Sequence, residues 1–541
     1  MNKWIKSAAV LSSALILGSA AAPAINVSAA KYKTINWTEV SDLTTMDSSK
    51  ATDSVTFDSL LATNEMLYRN DKNGKPTLAA AKSVKKSADG LTYTFTLRKN
   101  LKWSNGEALT AKDFVYGWQR TNDPKTASEY AYLYEGIKNA DKIQAGEITD
   151  LNELGIKATD DYTLVVTLDQ PVPQLVSELT MATFAPQNKK FVEAAGSKYG
   201  TAAKYVLSSG PYVLKGWTGS NSKYTLQKNT KYWDKKSVKT NKVSIQTVKD
   251  QNTGYNLFKS GDVDFTTLSP AQVKASKNSK DYYTVKQAWT KYLEVNQEQA
   301  LFKNLKVRQA ISYAINRKQL ANNILTGAAT PASTLTPKGL VKDPNTGKDF
   351  ATEADTGLIK YNAKKAKKLW AEAKKELGKT SFKTEILTDD ADDTKRTAQF
   401  IQSQLEKNLK GLEVTIKAVP KKQRLALGTE HKFDIICSGW GGDFQDPITF
   451  LDLFTTGKSF NRGQWSSAAY DKAIEASKTT DANNPKKRYD DFLTAEKVLA
   501  KDMGIIPTTY ASTASLFRSK IKGMVFNMTG AQYDWKTAYK K

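Results

Sequence analysis

The stretch Phe433-Asp434-Ile435-Ile436-Cys437-Ser438-Gly439-Trp440-Gly441-Gly442-Asp443-Phe444 joins a short apolar run to a loop with three glycines, one tryptophan and one carboxylate. The apolar run predicts a buried strand. Ligands of α/β sheets bind beyond the carboxyl ends of the strands, so the loop is a candidate site. Its glycines permit a close backbone approach or a positive φ. Trp440 offers a flat apolar surface and Asp443 a charge for a cationic group; the alternative is a tight turn with a core tryptophan and a solvated aspartate.

Helical and strand patterns alternate on both sides of this stretch, which favours a mixed α/β fold. Apolar residues at helical spacing predict one long helix over residues 304–325. A basic helix is predicted to begin after Asn362, an N-cap residue, and to end at Gly378. Further predicted elements are helices at 394–409, 468–477 and 489–499, and strands at 414–419 and 505–510.

The length of 541 residues predicts two or three domains, because single cores stop growing at about 250–300 residues. Residues 1–30 predict a secretory signal peptide: Lys3 and Lys6 precede an apolar core, and small residues allow cleavage after Ala29 or Ala30. The apolar core is too short to span a membrane. We therefore expect an exported protein that does not cross the membrane.

The charge of the chain points to an anionic partner. The formal net charge is +25, and removal of residues 1–30, with two lysines and no acidic residue, leaves +23. Only 10 of the 80 basic residues are arginine, whereas bidentate recognition of phosphate or bases favours arginine. The sequence therefore favours attraction to anionic polymers of the cell envelope and argues against nucleic acid.

Cysteine and histidine each occur once, as Cys437 and His431. This excludes an intrachain disulfide and a multi-histidine metal site, and no motif predicts another cofactor. No nucleophile motif accompanies the histidine, so we expect no enzyme activity. No cysteine lies near the signal peptide, so we expect a secreted protein held at the envelope without a lipid anchor.

A dense block of motifs covers residues 87–115. Residues 91–97 alternate apolar and threonine side chains and predict a strand. A hairpin-type turn follows at 102–106, and Thr110 caps a helix with Asp113 in its first turn. Its large apolar residues are expected to build a core rather than a site: Trp103, Phe114 and Trp118.

This block resembles the signature of the extracellular solute-binding proteins of peptide transporters, the oligopeptide and dipeptide binders of ABC importers. Further landmarks occur in that family's order, and the resemblance spans essentially the whole mature chain. Residues 123–130 resemble the oligopeptide-binding branch. The landmarks are Ser209–Tyr212, Val307–Ile311, Ala314–Arg317, and Gly439-Trp440 followed by Asp443-Phe444.

The resemblance implies a two-lobed clamshell of three domains, with mixed sheets flanked by helices. Lobe one would combine residues 31–54, 187–288 and 511–541. An extra α+β domain, residues 55–186, would pack on it, and lobe two would span residues 289–510. The ligand would lie between the lobes as an extended peptide, hydrogen-bonded like an added strand.

The resemblance also implies roles for individual residues. Asp443 matches the aspartate that receives the peptide's α-ammonium group, and Trp440 the tryptophan beside the cleft. The backbone at Gly439 and Gly441 would pair with the peptide. Further implied contacts are Leu43 and its neighbours in lobe one, and Tyr130 and Asn256 by local alignment.

Cys437 is a departure from the family's pattern. In some short-peptide binders of the family a basic residue stands two positions before the Gly-Trp pair and helps to hold the peptide's carboxylate. With Cys437 in that place, a dedicated anchor for a short peptide's C-terminus is in doubt, and longer or variable-length peptides are favoured.

The leading hypothesis is therefore a monomer that captures oligopeptides and delivers them to a membrane ABC permease. A second is a basic surface adhesin, and a third a hydrolase of cell-wall peptides, disfavoured because no activated nucleophile is visible. A same-fold binder of nickel chelates or oligosaccharides also stays open, since fold does not fix the ligand.

Overall fold

Two long strands, Tyr282–Val295 and Ile506–Phe517, run side by side through the largest sheet of the computed structural model. The structure describes residues 34–541, without the side chains of residues 392, 421 and 422. The predicted signal peptide lies outside the described residues. None of the helices described combines the length and the apolarity that crossing a membrane requires.

The strands follow one another along the chain as short elements. They are β1 Ile35–Glu39, β2 Tyr68–Asn70, β3 Pro76–Leu78, β4 Ala81–Lys86, β5 Thr92–Leu97, β6 Ile156–Asp160, β7 Thr163–Thr167, β8 Tyr212–Lys215, β9 Lys223–Lys228, β10 Lys242–Thr247, β11 Phe265–Thr267, β12 Tyr282–Val295, β13 Ala329–Pro331, β14 Phe382–Asp389, β15 Leu412–Val419, β16 Ile435–Gly441, β17 Ile506–Phe517, β18 Ile521–Lys522, β19 Val525–Phe526, β20 Tyr533–Asp534 and β21 Tyr539–Lys540.

The helices flank these sheets. They are α1 Ser54–Thr63, α2 Ala111–Asn122, α3 Ala140–Gln144, α4 Leu175–Glu178, α5 Lys189–Ala195, α6 Gln251–Ser260, α7 Pro270–Ser276, α8 Ala300–Lys303, α9 Leu305–Ala314, α10 Arg317–Gln319, α11 Phe350–Ala354, α12 Ala363–Leu377, α13 Asp392–Asn408, α14 Lys421–Thr429, α15 Ile448–Leu451, α16 Ala468–Lys478 and α17 Pro485–Asp502. A π-helical turn spans Leu320–Ile324, and among the short 3₁₀ helices is Ala131–Tyr134.

Three larger sheets organise the described residues. One has the order β1-β10-β9-β8, and a second, β4-β5-β7-β6, lies within the predicted extra domain. The seven-stranded sheet has the order β11-β17-β12-β16-β14-β15, with β13 paired to β17. It is mixed, because β14 runs parallel to β15 and β16 while β12 is antiparallel to its neighbours.

The predicted boundaries between the lobes fall inside β12 and β17. The pairing register of these strands shifts between Lys286 and Thr290, an irregularity of the kind that bends and twists a strand. The long strands therefore connect the sheet regions assigned to the two lobes. Residues 32–541 form one compact unit, within which the division into three domains stays a prediction.

The signature block folds as its pattern predicts. Asp113 Oδ2 accepts a hydrogen bond from the Thr110 backbone N–H at 2.7 Å, closing a capping box at the start of α2. The predicted core role of Trp103, Phe114 and Trp118 is confirmed, since each is at most 1% exposed. The Trp118 indole N–H donates to the Phe184 carbonyl oxygen at 3.0 Å, which satisfies its polar group.

The prediction of one long helix over residues 304–325 is wrong. Helix α9 ends at Ala314, and Asn316 then caps a new turn by accepting a hydrogen bond from the Gln319 N–H at 3.0 Å. An asparagine that bonds its own backbone competes with continuous helix, which explains the break. The helix predicted between Asn362 and Gly378 is confirmed, with Gly378 at φ +65° after α12.

Candidate functional site

Strand β16 ends beside an open edge of the sheet. It pairs with β12 along its whole length, from Val295↔Ile435 to Trp289↔Gly441. On its other side it pairs with β14 only at Ile435 and Ile436. Beyond Ile436 the two parallel strands separate, and among the described residues no strand occupies the edge of residues 437–441. An extended chain could add to this edge through backbone hydrogen bonds.

The cleft cavity, of about 630 Å³, opens along this edge. Its walls come from distant parts of the chain: residues 130 and 132, the middle of β12, the end of β14, helix α14 and residues 437–443. Of the predicted site residues it brings together Tyr130, Cys437, Gly439, Trp440, Gly441 and Asp443.

Leu43 and Asn256 lie elsewhere. Leu43 is 4% exposed and packs in a hydrophobic core cluster with Trp37 and Ile35, because its apolar side chain points inward from the loop after β1. Asn256 is exposed on α6. Neither is among the residues that line the cleft cavity, so the geometry does not support their predicted contact with a ligand.

Asp443 is a buried carboxylate without a cation. Tyr132 Oη donates to its Oδ2 at 2.8 Å, and its backbone N–H donates to Thr449 Oγ1 at 3.2 Å. Burial raises the pKa of Asp443 to about 6. Among the side chains that the structure describes, no lysine or arginine forms an ion pair with it. An ionised carboxylate in this position lacks the partner that buried charges normally have.

Aromatic rings surround this carboxylate. Tyr132, which is 46% exposed, has its ring centroid 5.7 Å from that of Tyr130, which in turn packs edge-on against Phe57 at 5.3 Å. Trp440 packs edge-on against Phe460 at 4.8 Å, and its indole N–H is buried with no hydrogen-bond partner among the described residues. Burial and the charge of Asp443 raise the pKa of Tyr132, so its hydroxyl stays a donor.

The glycines of the site serve a different purpose from the one expected. None of Gly439, Gly441 and Gly442 has a positive φ. A Cβ at Gly441 would lie 2.6 Å from Trp289 Cε3, and one at Gly439 would lie 2.8 Å from Trp289 Nε1. The space without a Cβ is therefore filled by the Trp289 ring, and the expected close backbone approach on that side is a side-chain approach instead.

Arginines stand at the far end of the cleft cavity, beside Cys437. Arg424 Nε donates to Asp389 Oδ1 at 2.6 Å, while its Nη1 is buried without a partner among the described residues. Arg462 Nη1 reaches Ser438 Oγ at 3.4 Å. Burial raises the pKa of the Cys437 thiol to about 12, so it carries no charge at neutral pH. Negative charge at one end of the cavity thus faces positive charge at the other.

Tyr132, Trp289 and the two arginines were missed by the sequence reasoning. Tyr132 lies 311 residues from Asp443 along the chain, and no local pattern connects them. The scarcity of arginine was an available signal: with only 10 in the chain, each arginine is a choice over lysine, and two of them line this cavity.

Comparisons with known proteins agree with this geometry. Residues 75–462 match the family described as "Bacterial extracellular solute-binding proteins, family 5 Middle". The chain is 40% identical over 546 residues to the dipeptide-binding protein of Lactococcus lactis subsp. cremoris (strain MG1363), covering 98% of each.

Two solved structures are similar over nearly the whole chain. One, "Listeria monocytogenes OppA bound to peptide", is 41% identical with a TM-score of 0.76, covering 94% of this chain and 99% of that one. The other, the substrate-binding domain of an oligopeptide ABC transporter from Bacillus anthracis str. Ames, is 40% identical with a TM-score of 0.77, covering 95% and 99%. The predicted two-lobed α/β fold is confirmed by this similarity.

Proposed function

The chain belongs to the bacterial extracellular solute-binding proteins of family 5, and we propose that it captures oligopeptides outside the cell and delivers them to a membrane ABC permease. The observation that carries this proposal is Asp443, a buried carboxylate with no cationic partner, at the end of an open sheet edge. A peptide's α-ammonium group supplies the missing charge. A charge-assisted hydrogen bond there contributes about 1.5–3 kcal/mol net.

The peptide would lie as an added strand along residues 437–441. With its ammonium at Asp443 it runs antiparallel to β16, toward the point where β14 and β16 separate. Five residues of strand span about 17 Å at 3.3 Å per residue, so four or five peptide residues fit along this edge. Main-chain pairing reads no side chains, which suits a binder of many sequences.

The peptide's carboxylate would approach Arg424 rather than Cys437. Arg424 Nη1 is buried without a partner, and its guanidinium already has one donor committed to Asp389. A second carboxylate at Nη1 satisfies this donor. Longer peptides would pass this point, so Arg424 would matter most for peptides that end beside it.

We expect binding without a chemical step. The Cys437 thiol has a raised pKa, which makes it a poor nucleophile. His431 Nδ1 donates to the Arg462 carbonyl oxygen at 2.9 Å and is committed to a structural contact. These features support transport rather than hydrolysis.

Ligand identification tests the function most simply. The exported protein is purified without denaturation, its ligand is released by unfolding, and the released material is analysed by mass spectrometry. Peptides of mixed sequence are expected. Oligosaccharides or nickel chelates as the released ligand would contradict the proposal.

The location follows from charge. We expect a secreted monomer held at the envelope by its net charge of +23 after removal of residues 1–30. Attraction between exposed charges is screened within about 3 Å at 1 M salt. Washing intact cells with 1 M NaCl should release the protein, and retention through that wash would contradict this mode of attachment.

A further inference from the structure

A second cavity, of about 480 Å³, borders the cleft cavity and shares Tyr132, Trp440, Asp443 and Phe460 with it. Its other walls come from residues 170–178, which include α4, and from residues 444–459, which include α15. We call it the acidic cavity, since five carboxylates and two lysines line it.

Both lysines are already paired. Lys458 and Lys478 contact the carboxylate of Asp452 at 3.2 and 2.9 Å. The remaining carboxylates of the wall therefore face the cavity without this compensation: Glu129, Glu135, Glu178 and Asp443. In a chain with a net charge of +25, an uncompensated group of carboxylates at a cavity favours a cationic occupant.

Glu178 is the most informative of these groups. Its side chain is 4% exposed, yet its Oε2 has no hydrogen-bond partner among the described residues. The nearby guanidinium of Arg488 is committed to Asp446, at 2.6 and 3.0 Å. A buried carboxylate oxygen without a donor is costly, and a cation in the cavity would remove that cost.

The rest of the wall is apolar. Pro171, Val172, Phe444, Ile448 and Leu453 line the cavity together with the rings of Trp440 and Phe460. An apolar wall with a carboxylate at its edge matches an aliphatic stem that ends in a positive charge. Aromatic faces add favourable contacts for such a cation.

We propose that the acidic cavity takes the lysine or arginine side chain of the peptide's first residue. The inference rests on the proposed function, because Asp443 borders both cavities. If Asp443 receives the α-ammonium group, the first side chain begins one bond from the carbon that bears this group. Its stem then enters between Trp440 and Val172, and its cationic end meets Glu178.

Calorimetry with matched peptides tests this assignment. Lys-Ala-Ala-Ala is compared with norleucine-Ala-Ala-Ala, which has the same four-carbon stem without the charge, and with Ala-Lys-Ala-Ala. The lysine-first peptide should bind the wild-type protein about tenfold more tightly than the norleucine peptide. In Glu178→Gln this ratio should approach one. In Glu147→Gln, a change of an exposed carboxylate in the same part of the chain, the ratio should stay at its wild-type value.

Several results would overturn the inference. They are equal affinity for the lysine-first and norleucine peptides, an unchanged ratio in Glu178→Gln, or an equal gain from lysine at the second position. Tight binding of tetra-alanine with any of these would leave the proposed function intact. Failure of every peptide to bind would overturn both. If Glu178→Gln does not fold, Glu135→Gln on the same wall replaces it, and a lowered ratio is again expected.

Discussion

Peptide affinity should fall as the pH is lowered through 6. Burial raises the pKa of Asp443 to about 6 in the free protein, and a bound ammonium group favours the ionised form, so the pKa of Asp443 in the complex is lower. Affinity is then fully present above pH 6 and is lost as the carboxyl takes up its proton. With a free-state pKa of about 6, affinity at pH 5 should be about tenfold weaker than at pH 7.

The assay is calorimetry with tetra-alanine between pH 5 and pH 7. The peptide's own groups do not interfere, because its amine titrates near 8 and its carboxylate near 3.5. Asp443→Asn is the control and should show a flat profile. Near pH 6, repeating the titration in buffers of different ionisation enthalpy should reveal that binding releases about half a proton. A flat wild-type profile, or tighter binding at pH 5, would refute the role given to Asp443.

Two substitutions test other parts of the cavity. Arg424→Gln should weaken binding of a free-acid tetrapeptide about tenfold or more by calorimetry, and that of its C-terminal amide much less; Arg396→Gln, an exposed arginine, is the control, and equal losses for both peptides would contradict the carboxylate assignment. Gly441→Ala places a Cβ 2.6 Å from the Trp289 ring, so denaturant unfolding should show a loss of about 1–3 kcal/mol; unchanged stability would show that the ring moves freely.

The fold was largely readable from the sequence where the pattern is local. Strand β16, the capping box of α2 and the end of α12 at Gly378 each depend on neighbouring residues, and each is present. The break after α9 was missed because apolar spacing continues through it. Asn316 was the signal, since its side chain caps a new turn instead of continuing the helix.

The candidate site was predictable only in part. Its strand, tryptophan and carboxylate are contiguous, so one stretch of sequence indicates them. The hydroxyl of Tyr132 on Asp443 and the ring of Trp289 over Gly441 depend on tertiary packing between distant segments. Such contacts leave no periodic or spacing signal, which explains why the reason for the glycines was wrongly expected.

The central claim is that Asp443 holds the peptide's α-ammonium group, and a calorimetric cycle tests it most directly. Wild-type protein and Asp443→Ala are each titrated with a tetrapeptide and with its N-acetylated form, while circular dichroism confirms that the variant folds. Removing either partner of a buried charge pair costs about 3–5 kcal/mol, a hundredfold or more in affinity. We predict that each single change has this effect and that acetylation adds little to the defect of the variant, because both remove the same interaction. Full additivity of the two losses, or tight binding of the acetylated peptide to the wild-type protein, would contradict the claim.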